Sequence, residues 1–358
     1  MTDSVYNTLG FDFYLNISAA FDKLNSGTFC FKPIILTFAT VMKLTQHVAE
    51  AKKTIISFEV LPPTKGRSID SLFSTLDPFM EFKPSFVNVT YHRAEQIYKK
   101  RTDGSFERVE IRKRPGTVGI CAALMNKYQI EAIPHLICGG FSMEETENAL
   151  IDLHYLGIKN VLALRGDAAA NEKFFVPHPH GHNYAEELVK QIITLNKGQY
   201  MEDDILDGVK TDFCIGVAGY PEKHFEAPNL DIDVANLKRK VDLGADYITT
   251  QMFFDNNHYY DYVARCNAAG INKTIIPGLK PLSTKKQLTI IPRVFNVEIP
   301  VELYTEIMKC KTDADVELVG TEWLLNQCRD LLKNNVPVLH FYTLSKPHII
   351  YNVLKQLF

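Results

Sequence analysis

Short apolar runs recur along the chain at intervals too long for β-hairpins. Most of them are continuously apolar, which is typical of parallel strands covered on both faces. The pattern therefore predicts eight buried strands, at residues 54–60, 86–91, 132–138, 160–164, 213–218, 247–252, 274–279 and 337–342.

Amphipathic helical patterns lie between these runs. Ser142-Met-Glu-Glu145 has the spacing of a capping box, which predicts the start of a helix. That helix should end at Gly157, and similar endings recur at Gly244 and Gly270, each just before a strand, because glycine tolerates the left-handed conformation that ends a helix. Eight strand–helix units predict the α/β class and a (β/α)8 TIM barrel.

A doubly wound sheet is the alternative architecture. If it bound a dinucleotide, it would usually carry a Gly-x-Gly-x-x-Gly turn after an early strand. The sequence contains no such turn, which favours the barrel.

The N-terminal segment differs from the rest of the chain. Residues 1–41 lack a clear hydrophobic period and good helix start or stop signals, so we expect a poorly ordered N-terminal extension. Residues 42–358 should form a single barrel domain. Since no apolar run reaches about 18 residues and no basic cluster begins the chain, we expect neither a membrane span nor a secretory signal.

Charge and cysteine content narrow the possible partners. The net charge is −3, so the chain as a whole should attract neither nucleic acid nor an anionic membrane. Its seven cysteines form no Cys-x-x-Cys pair, which indicates free thiols in a reducing, cytoplasmic compartment. Histidines 178, 180 and 182 have no carboxylate or cysteine at ligand spacing, so we expect a loop there and no metal site.

Polar residues stand near the carboxyl end of most predicted strands. In a barrel these ends form one rim, where active sites lie. Each residue alone has an ordinary structural explanation, such as an Arg165–Asp167 pair or a helix cap by Gln251, but their coincidence predicts a site for a polar ligand. The residues are Glu59, Thr90, His135, Arg165, Gly166, Asp167, Tyr220, His224, Gln251, Asp255, His340 and Tyr342.

A second pattern lies in the helix predicted after residue 229. Asp233, Asn236 and Lys240 share one stripe, three and four residues apart. One interpretation is a solvated face. The other is that the stripe holds the ribose and phosphate arm of a nucleotide.

Several motifs together resemble the 5,10-methylenetetrahydrofolate reductase family. The resemblance extends from about residue 43 to the C-terminus, and the motifs follow in family order. They are ISFEVLPP at 56–63, PHL at 134–136, ALRGD at 163–167, VAGYPE at 217–222 with His224, TQMFFD at 250–255, IPG at 276–278 and HFYTL at 340–344.

The resemblance implies a (β/α)8 barrel with non-covalently bound FAD. It implies a ping-pong reaction in which NAD(P)H, with NADH favoured, reduces the flavin, which then reduces 5,10-methylenetetrahydrofolate to 5-methyltetrahydrofolate, a methyl donor for methionine synthesis. It also implies a homo-oligomer and, since this chain carries no appended regulatory region of the family's eukaryotic kind, a bacterial-type, catalytic-domain-only form.

The resemblance also implies roles for single residues. Glu59 would be the general acid that helps to open the folate ring, a role that requires a protonated carboxyl group and is favoured by an apolar setting. Asp167 would tune the flavin and stabilise developing positive charge. Substrate would contact Glu59, Gln251, Gln287 and Lys346, and FAD would contact Thr90, His135, Arg165, Gly166, Asp167, Ala185, Tyr220, His224, Asp233, Asn236 and Lys240.

The chain departs from the family pattern after Thr90. Tyr91-His92-Arg93 stands where the family usually has small residues, and a long charged segment follows as far as Gly116. Two other function classes stay open from the residues alone: a flavin-free barrel lyase or aldolase, and a non-catalytic protein that binds folate or flavin. The lyase would need a Schiff-base lysine or a metal cluster at a strand end, and neither is evident in the sequence.

Overall fold

Eight parallel strands close into a barrel. The structure is a computed structural model that describes residues 41–168, 172, 174–343 and 346–358. Around the barrel the strands follow the order β1, β2, β5, β6, β7, β8, β9, β10, and β10 pairs with β1. Their bounds are β1 Ile55–Val60, β2 Phe86–Val89, β5 Glu131–Ile137, β6 Asn160–Leu164, β7 Cys214–Gly219, β8 Tyr247–Met252, β9 Thr274–Leu279 and β10 Val338–Tyr342.

Helices cover the outside of the barrel. One short 3-10 helix, Asp77–Phe82, lies before β2. The α-helices are α1 Leu44–Glu50, α2 Asp70–Leu76, α3 Thr117–Tyr128, α4 Met143–Tyr155, α5 Ala185–Asn196, α6 Leu230–Leu243, α7 Asn256–Ala268, α8 Gln287–Phe295, α9 Val301–Lys309, α10 Asp313–Lys333 and α11 Pro347–Leu357.

The eight strands predicted from the apolar runs are confirmed, with ends that differ by at most two residues. All six residues of β1 are buried, as the continuous apolar pattern indicated. One set of side chains fills the barrel interior, including Phe86, Ile133 and Tyr247. A larger set packs between the strands and the helices. This two-layer core is the physical reason why the strands do not alternate between apolar and polar residues.

The predicted helix boundaries are also confirmed. Ser142 Oγ accepts a hydrogen bond from the backbone N–H of Glu145 at 3.1 Å, and the Glu145 carboxylate accepts from the backbone N–H of Ser142 at 2.8 Å. Gly157 and Gly270 have φ angles of 74° and 77°, in the left-handed region that favours glycine. These short helix endings let each following strand begin within a few residues.

The charged segment after Thr90 forms a β-hairpin that the sequence pattern did not predict. Its strands are β3 Glu95–Lys100 and β4 Phe106–Ile111, and within the described part of the chain they pair only with each other. Both strands are largely exposed, so they lack the apolar runs that revealed the barrel strands. The end of the hairpin is fixed to the loop after β1, where Lys65 N–H donates to Lys113 O at 2.9 Å and the Arg114 guanidinium donates to Pro62 O.

Residues Val41–Phe358 form one compact unit. The extension predicted over residues 1–41 lies outside the described residues except for Val41. The six cysteines within the described part of the chain are free and buried, as expected. Among the described residues, every helix is too short or too polar to cross a membrane.

Candidate active site

Glu59 lies at the end of β1, between two buried histidines from other strands. Its Oε2 atom is 3.5 Å from His135 Nε2, on β5, and 3.9 Å from His340 Nε2, on β10. All three residues are buried. Glu59 and His135, both expected at strand ends from the sequence, therefore lie together in the structure. The setting, however, differs from the expected apolar one, because imidazole rings face the carboxyl group.

The two histidines are held differently. Burial lowers the pKa of His135 to about 4, although the nearby Glu59 carboxylate acts in the opposite direction. His135 is therefore neutral at pH 7, and its ring can serve as a hydrogen-bonding group. His340 Nδ1 lies 2.9 Å from Ser57 Oγ, whereas its Nε2 has no hydrogen-bond partner among the described residues. That free nitrogen is on the side of Glu59.

Two polar residues that received no role from the sequence also face this group. Asn88 is buried on β2, and its Nδ2 lies 3.5 Å from His135 Nε2. Lys280 directly follows β9, and burial lowers its pKa, while Glu59 opposes that change. Lys280 thus stands at a strand end, although no Schiff-base lysine was evident there from the sequence. Its position immediately after the apolar run 274–279 is the signal that could have revealed it.

Thr90 joins the ends of the first two barrel strands. Its hydroxyl donates to Val60 O at 3.2 Å, and its backbone N–H donates to the same oxygen at 3.0 Å. The side chain is buried. Thr90 thus lies at the predicted rim, and its hydroxyl oxygen can still accept a hydrogen bond from another group.

The motif after β6 places an arginine over an aromatic ring. The Arg165 guanidinium lies 5.0 Å from the centre of the Phe175 ring, and its Nη1 is 2.5 Å from Glu226 Oε2. Arg165 pairs with Glu226, so the proposed Arg165–Asp167 pair is not the arrangement found. Asp167 is exposed. Its charge contributes to raising the pKa of Tyr220, which is raised mainly by burial, so Asp167 faces the same rim.

Tyr220 and His224 form the neighbouring wall after β7. Their rings meet edge to face, with centres 4.8 Å apart. Burial, followed by the charge of Arg165, lowers the pKa of His224 to about 4. The backbone N–H of His224 donates to Asp233 Oδ2 at 2.9 Å, which links this loop to α6.

The polar stripe on α6 faces this loop. Asp233 is buried, and burial raises its pKa. Lys240 Nζ donates to Ala218 O at 3.1 Å, and burial lowers the pKa of Lys240 to about 8. Asn236, which lies between these two residues in the sequence, is half-buried. The interpretation of this stripe as a solvated face is therefore wrong for Asp233 and Lys240.

The residues predicted to hold substrate are less clearly assembled. Gln251 is half-buried at the end of β8, and its Oε1 accepts from Met252 N–H at 2.9 Å. Gln287 Oε1 accepts from the backbone N–H groups of Ser283 and Thr284, at 2.6 and 3.1 Å. Lys346 pairs with Glu317 on α10 at 2.8 Å.

Two further predicted residues occupy structural positions at the rim. Gly166 has a φ of 84°, and a Cβ atom there would lie 3.3 Å from Ile137 Cβ. Ala185 is the first residue of α5 and is half-buried. Among the described residues, close contacts join Glu59 to His135 and join His224 to Asp233, whereas the polar contacts of Gln287 and Lys346 are with Ser283, Thr284 and Glu317.

Known proteins match most of this chain. The family model for methylenetetrahydrofolate reductase matches residues 43–358. The 5,10-methylenetetrahydrofolate reductase of Escherichia coli (strain K12) is 32% identical over 316 residues, covering 88% of this chain and 94% of that protein. Methylenetetrahydrofolate reductase (NADH) 1 of Arabidopsis thaliana is 31% identical over 88% of this chain, which spans 50% of that relative.

A solved structure has the same fold. It is described as an uncharacterized protein from Clostridium thermocellum that binds two copies of 5-methyl-5,6,7,8-tetrahydrofolic acid. Its TM-score is 0.52 and its sequence identity 14%, with 88% of this chain and 98% of that one covered, so this likeness concerns the fold alone. The match of the family model to nearly all of the barrel, together with the E. coli relative, gives the classification: this chain belongs to the methylenetetrahydrofolate reductase family.

Proposed function

We propose that this protein is an FAD-dependent reductase that converts 5,10-methylenetetrahydrofolate to 5-methyltetrahydrofolate at the expense of NAD(P)H. When bound, the flavin would accept a hydride from the nicotinamide and pass it to the folate in a second half-reaction. The observation that carries the proposal is Glu59, a buried carboxyl group facing two imidazoles on the barrel rim of a chain from this family.

The polar groups around β6, β7 and α6 fit a flavin dinucleotide. Arg165 and Lys240 supply positive charge for a pyrophosphate, and the buried carboxylate of Asp233 can accept hydrogen bonds from ribose hydroxyls. Burial disfavours the charged form of Lys240, so an anionic ligand beside it would restore that charge. Thr90, His135, Gly166, Ala185, Tyr220, His224 and Asn236 would complete the FAD site.

Glu59 would hold the proton that the folate ring needs to open. A general acid of this kind must donate to a nitrogen of the substrate and then be reprotonated. His135 is neutral at pH 7 and can orient the Glu59 carboxyl group without placing a positive charge beside it. His340 Nε2 has no partner among the described residues, so it is available to exchange a proton with Glu59.

Asp167 would act through the electrostatic effect of its carboxylate and would not transfer a proton. Its carboxylate lies on the rim next to Arg165 and Gly166 and is exposed. A negative charge at that point stabilises positive charge that develops on the pterin. Gln251, Gln287 and Lys346 would hold the folate. For Gln287 and Lys346, binding requires the present contacts with Ser283 and Glu317 to be exchanged or shared.

NADH is the favoured reductant in this proposal, because the Arabidopsis relative bears NADH in its name. The product would supply methyl groups for methionine synthesis. A cytoplasmic homo-oligomer is proposed as the working form of the protein, on the resemblance to the family alone.

Half-reaction kinetics test the role of Glu59. The purified protein should be yellow and should bleach when NADH is added without oxygen. Glu59→Gln should leave flavin reduction by NADH within about twofold of wild type, whereas folate reduction should slow by about 10²- to 10⁴-fold, the usual contribution of a general acid. The exposed Glu306→Gln variant on α9 is the matched control. Equal losses in both half-reactions would contradict the assigned role, and a protein that takes up no FAD would contradict the reductase.

The flavin-free lyase or aldolase keeps one specific observation in its favour. Lys280 is half-buried after β9, and burial lowers its pKa, as a Schiff-base lysine requires. Lys280→Met separates the two functions. If the protein is the reductase, the variant should still bind FAD and its flavin should be reduced by NADH. If the protein is a lyase that uses the Lys280 amine, the variant should lose the lyase activity. A non-catalytic folate- or flavin-binding protein would show neither half-reaction.

A further inference from the structure

Three potential metal ligands from separate parts of the chain meet outside the group around Glu59. Glu222 lies in the loop after β7, His258 in the first turn of α7, and Glu298 between α8 and α9. One ligand atom from each residue can be chosen so that all three lie within 4.8 Å of one another. Its members are about 40 positions apart along the chain, so no local sequence motif indicates the cluster.

One carboxylate oxygen in the cluster is buried without a partner. Glu222 Oε1 has no hydrogen-bond donor among the residues that the structure describes, although the other oxygen, Oε2, accepts from the backbone N–H of Glu298. A buried carboxylate oxygen without a donor is costly, and native proteins usually satisfy it with a side chain, a water or an ion. Glu222 Oε1 therefore remains free to accept a hydrogen bond or to bind a cation.

The charges around Glu222 favour a cation. His258 Nε2 lies 3.9 Å from Glu298 Oε2, and neither carboxylate forms an ion pair with a lysine or arginine in the described ranges. The adjacent Lys223 does not neutralise Glu222, because its Nζ donates to the carbonyl oxygens of His224 and Ala227, at 3.4 and 3.1 Å. Among the described residues, His258 is therefore the one basic side chain within ion-pair distance of either carboxylate.

We propose that Glu222, His258 and Glu298 bind a divalent transition-metal cation, with Zn²⁺ as its representative. One nitrogen and two carboxylate oxygens suit zinc, whereas Mg²⁺ and Ca²⁺ prefer oxygen ligands alone. With bonds of about 2.0–2.2 Å, the ligand atoms of a tetrahedral site lie about 3.4 Å apart. Small side-chain rotations would bring the present arrangement to that spacing. The fourth position would take water.

Metal entry requires no opening of the fold. The side chains of His258 and Glu298 are 38% and 71% exposed, so both can turn toward an ion that arrives from solvent. A bound ion would tie the loop after β7 to α7 and to the segment before α9. The same loop carries Tyr220 and His224, so the ion would also stabilise one wall of the proposed FAD site.

Isothermal titration with Zn²⁺ tests the proposal on the untagged full-length chain with FAD, after treatment with a chelator. We expect saturable binding of one Zn²⁺ per chain and a Zn²⁺-dependent rise in Tm. His258→Ala and Glu298→Gln should each weaken that binding by about tenfold or more, since even outer-shell changes cost about 10- to 100-fold. His154→Ala, a partly exposed histidine on α4, is the matched control and should bind as wild type does.

Several results would overturn the site. They are the absence of saturable Zn²⁺ binding by the wild-type chain, unchanged Zn²⁺ affinity in both ligand variants, and displacement of Zn²⁺ by an equal concentration of Mg²⁺. Circular dichroism of the metal-free variants checks their fold. If His258→Ala does not fold, the Zn²⁺ affinity of Glu298→Gln decides the question alone. This variant should fold, because the backbone N–H of residue 298 can still donate to Glu222.

Discussion

Replacing His135 tests how the barrel holds a neutral imidazole beside Glu59. The ring is buried, and its nearest polar neighbours are Glu59 and Asn88, each at 3.5 Å. His135→Gln removes the titrating group while keeping a polar side chain that can pair with Asn88. We expect the free energy of unfolding of the variant to fall less on acidification than that of the wild-type protein, whatever its value at neutral pH.

The size of the effect follows from the pKa of His135. Burial lowers this pKa from 6.5 to about 4 in the folded chain. The unfolded chain therefore binds the proton more readily between these values, so stability is lost as the pH falls through this window. At about 1.36 kcal/mol per pH unit, the full difference corresponds to about 3 kcal/mol, of which about 2 kcal/mol is lost by pH 5.

Urea denaturation of the FAD-free protein at pH 7.5 and at pH 5.0 measures the effect. In the wild-type protein, His135 should contribute a fall of about 2 kcal/mol in the free energy of unfolding between the two pH values. For His135→Gln, that fall should be smaller by about 2 kcal/mol. Asn88→Ser is the matched control, since it alters the same contact without removing a titrating group.

Equal losses of stability by His135→Gln and wild type between pH 7.5 and pH 5.0 would contradict this role of His135. A larger loss of stability by His135→Gln than by wild type would also contradict that role, because a histidine stabilised in its charged form has the opposite sign of pH dependence. His224, whose pKa burial also lowers to about 4, gives an independent comparison. His224→Gln should reduce the acid sensitivity in the same direction.

Three further predictions concern the FAD site and the frame around it. Asp233→Ala should weaken FAD retention, measured as the Kd of the apoprotein for FAD, whereas an unchanged Kd would remove Asp233 from the cofactor site. Gly166→Ala should lower the free energy of unfolding by about 1–3 kcal/mol, because the residue has a φ of 84° and the new Cβ would lie 3.3 Å from Ile137 Cβ; thermal denaturation measures this. Ser142→Ala should cost about 1 kcal/mol in urea denaturation through loss of the cap of α4, and Ser142→Asp, which can still cap, should restore most of it.

The strands and the rim were predictable because both depend on local pattern. A strand buried on both faces must be apolar throughout, so each barrel strand is visible in the sequence, as in Ile55–Val60. Helix ends are equally local, because a cap such as Ser142 and a left-handed glycine such as Gly157 act within a few residues. The hairpin of β3 and β4 escaped prediction because its strands are exposed and lack that pattern.

The sequence by itself determined the barrel, the family and the membership of Glu59 and His135 in one rim, since parallel strands in a closed barrel present their carboxyl ends together. Only the tertiary structure decided which groups touch. It paired Arg165 with Glu226, brought His340 toward Glu59, and gathered Glu222, His258 and Glu298 from three segments. Such contacts depend on strand register, loop path and side-chain rotamer, which residues distant along the chain settle jointly and which no local pattern records.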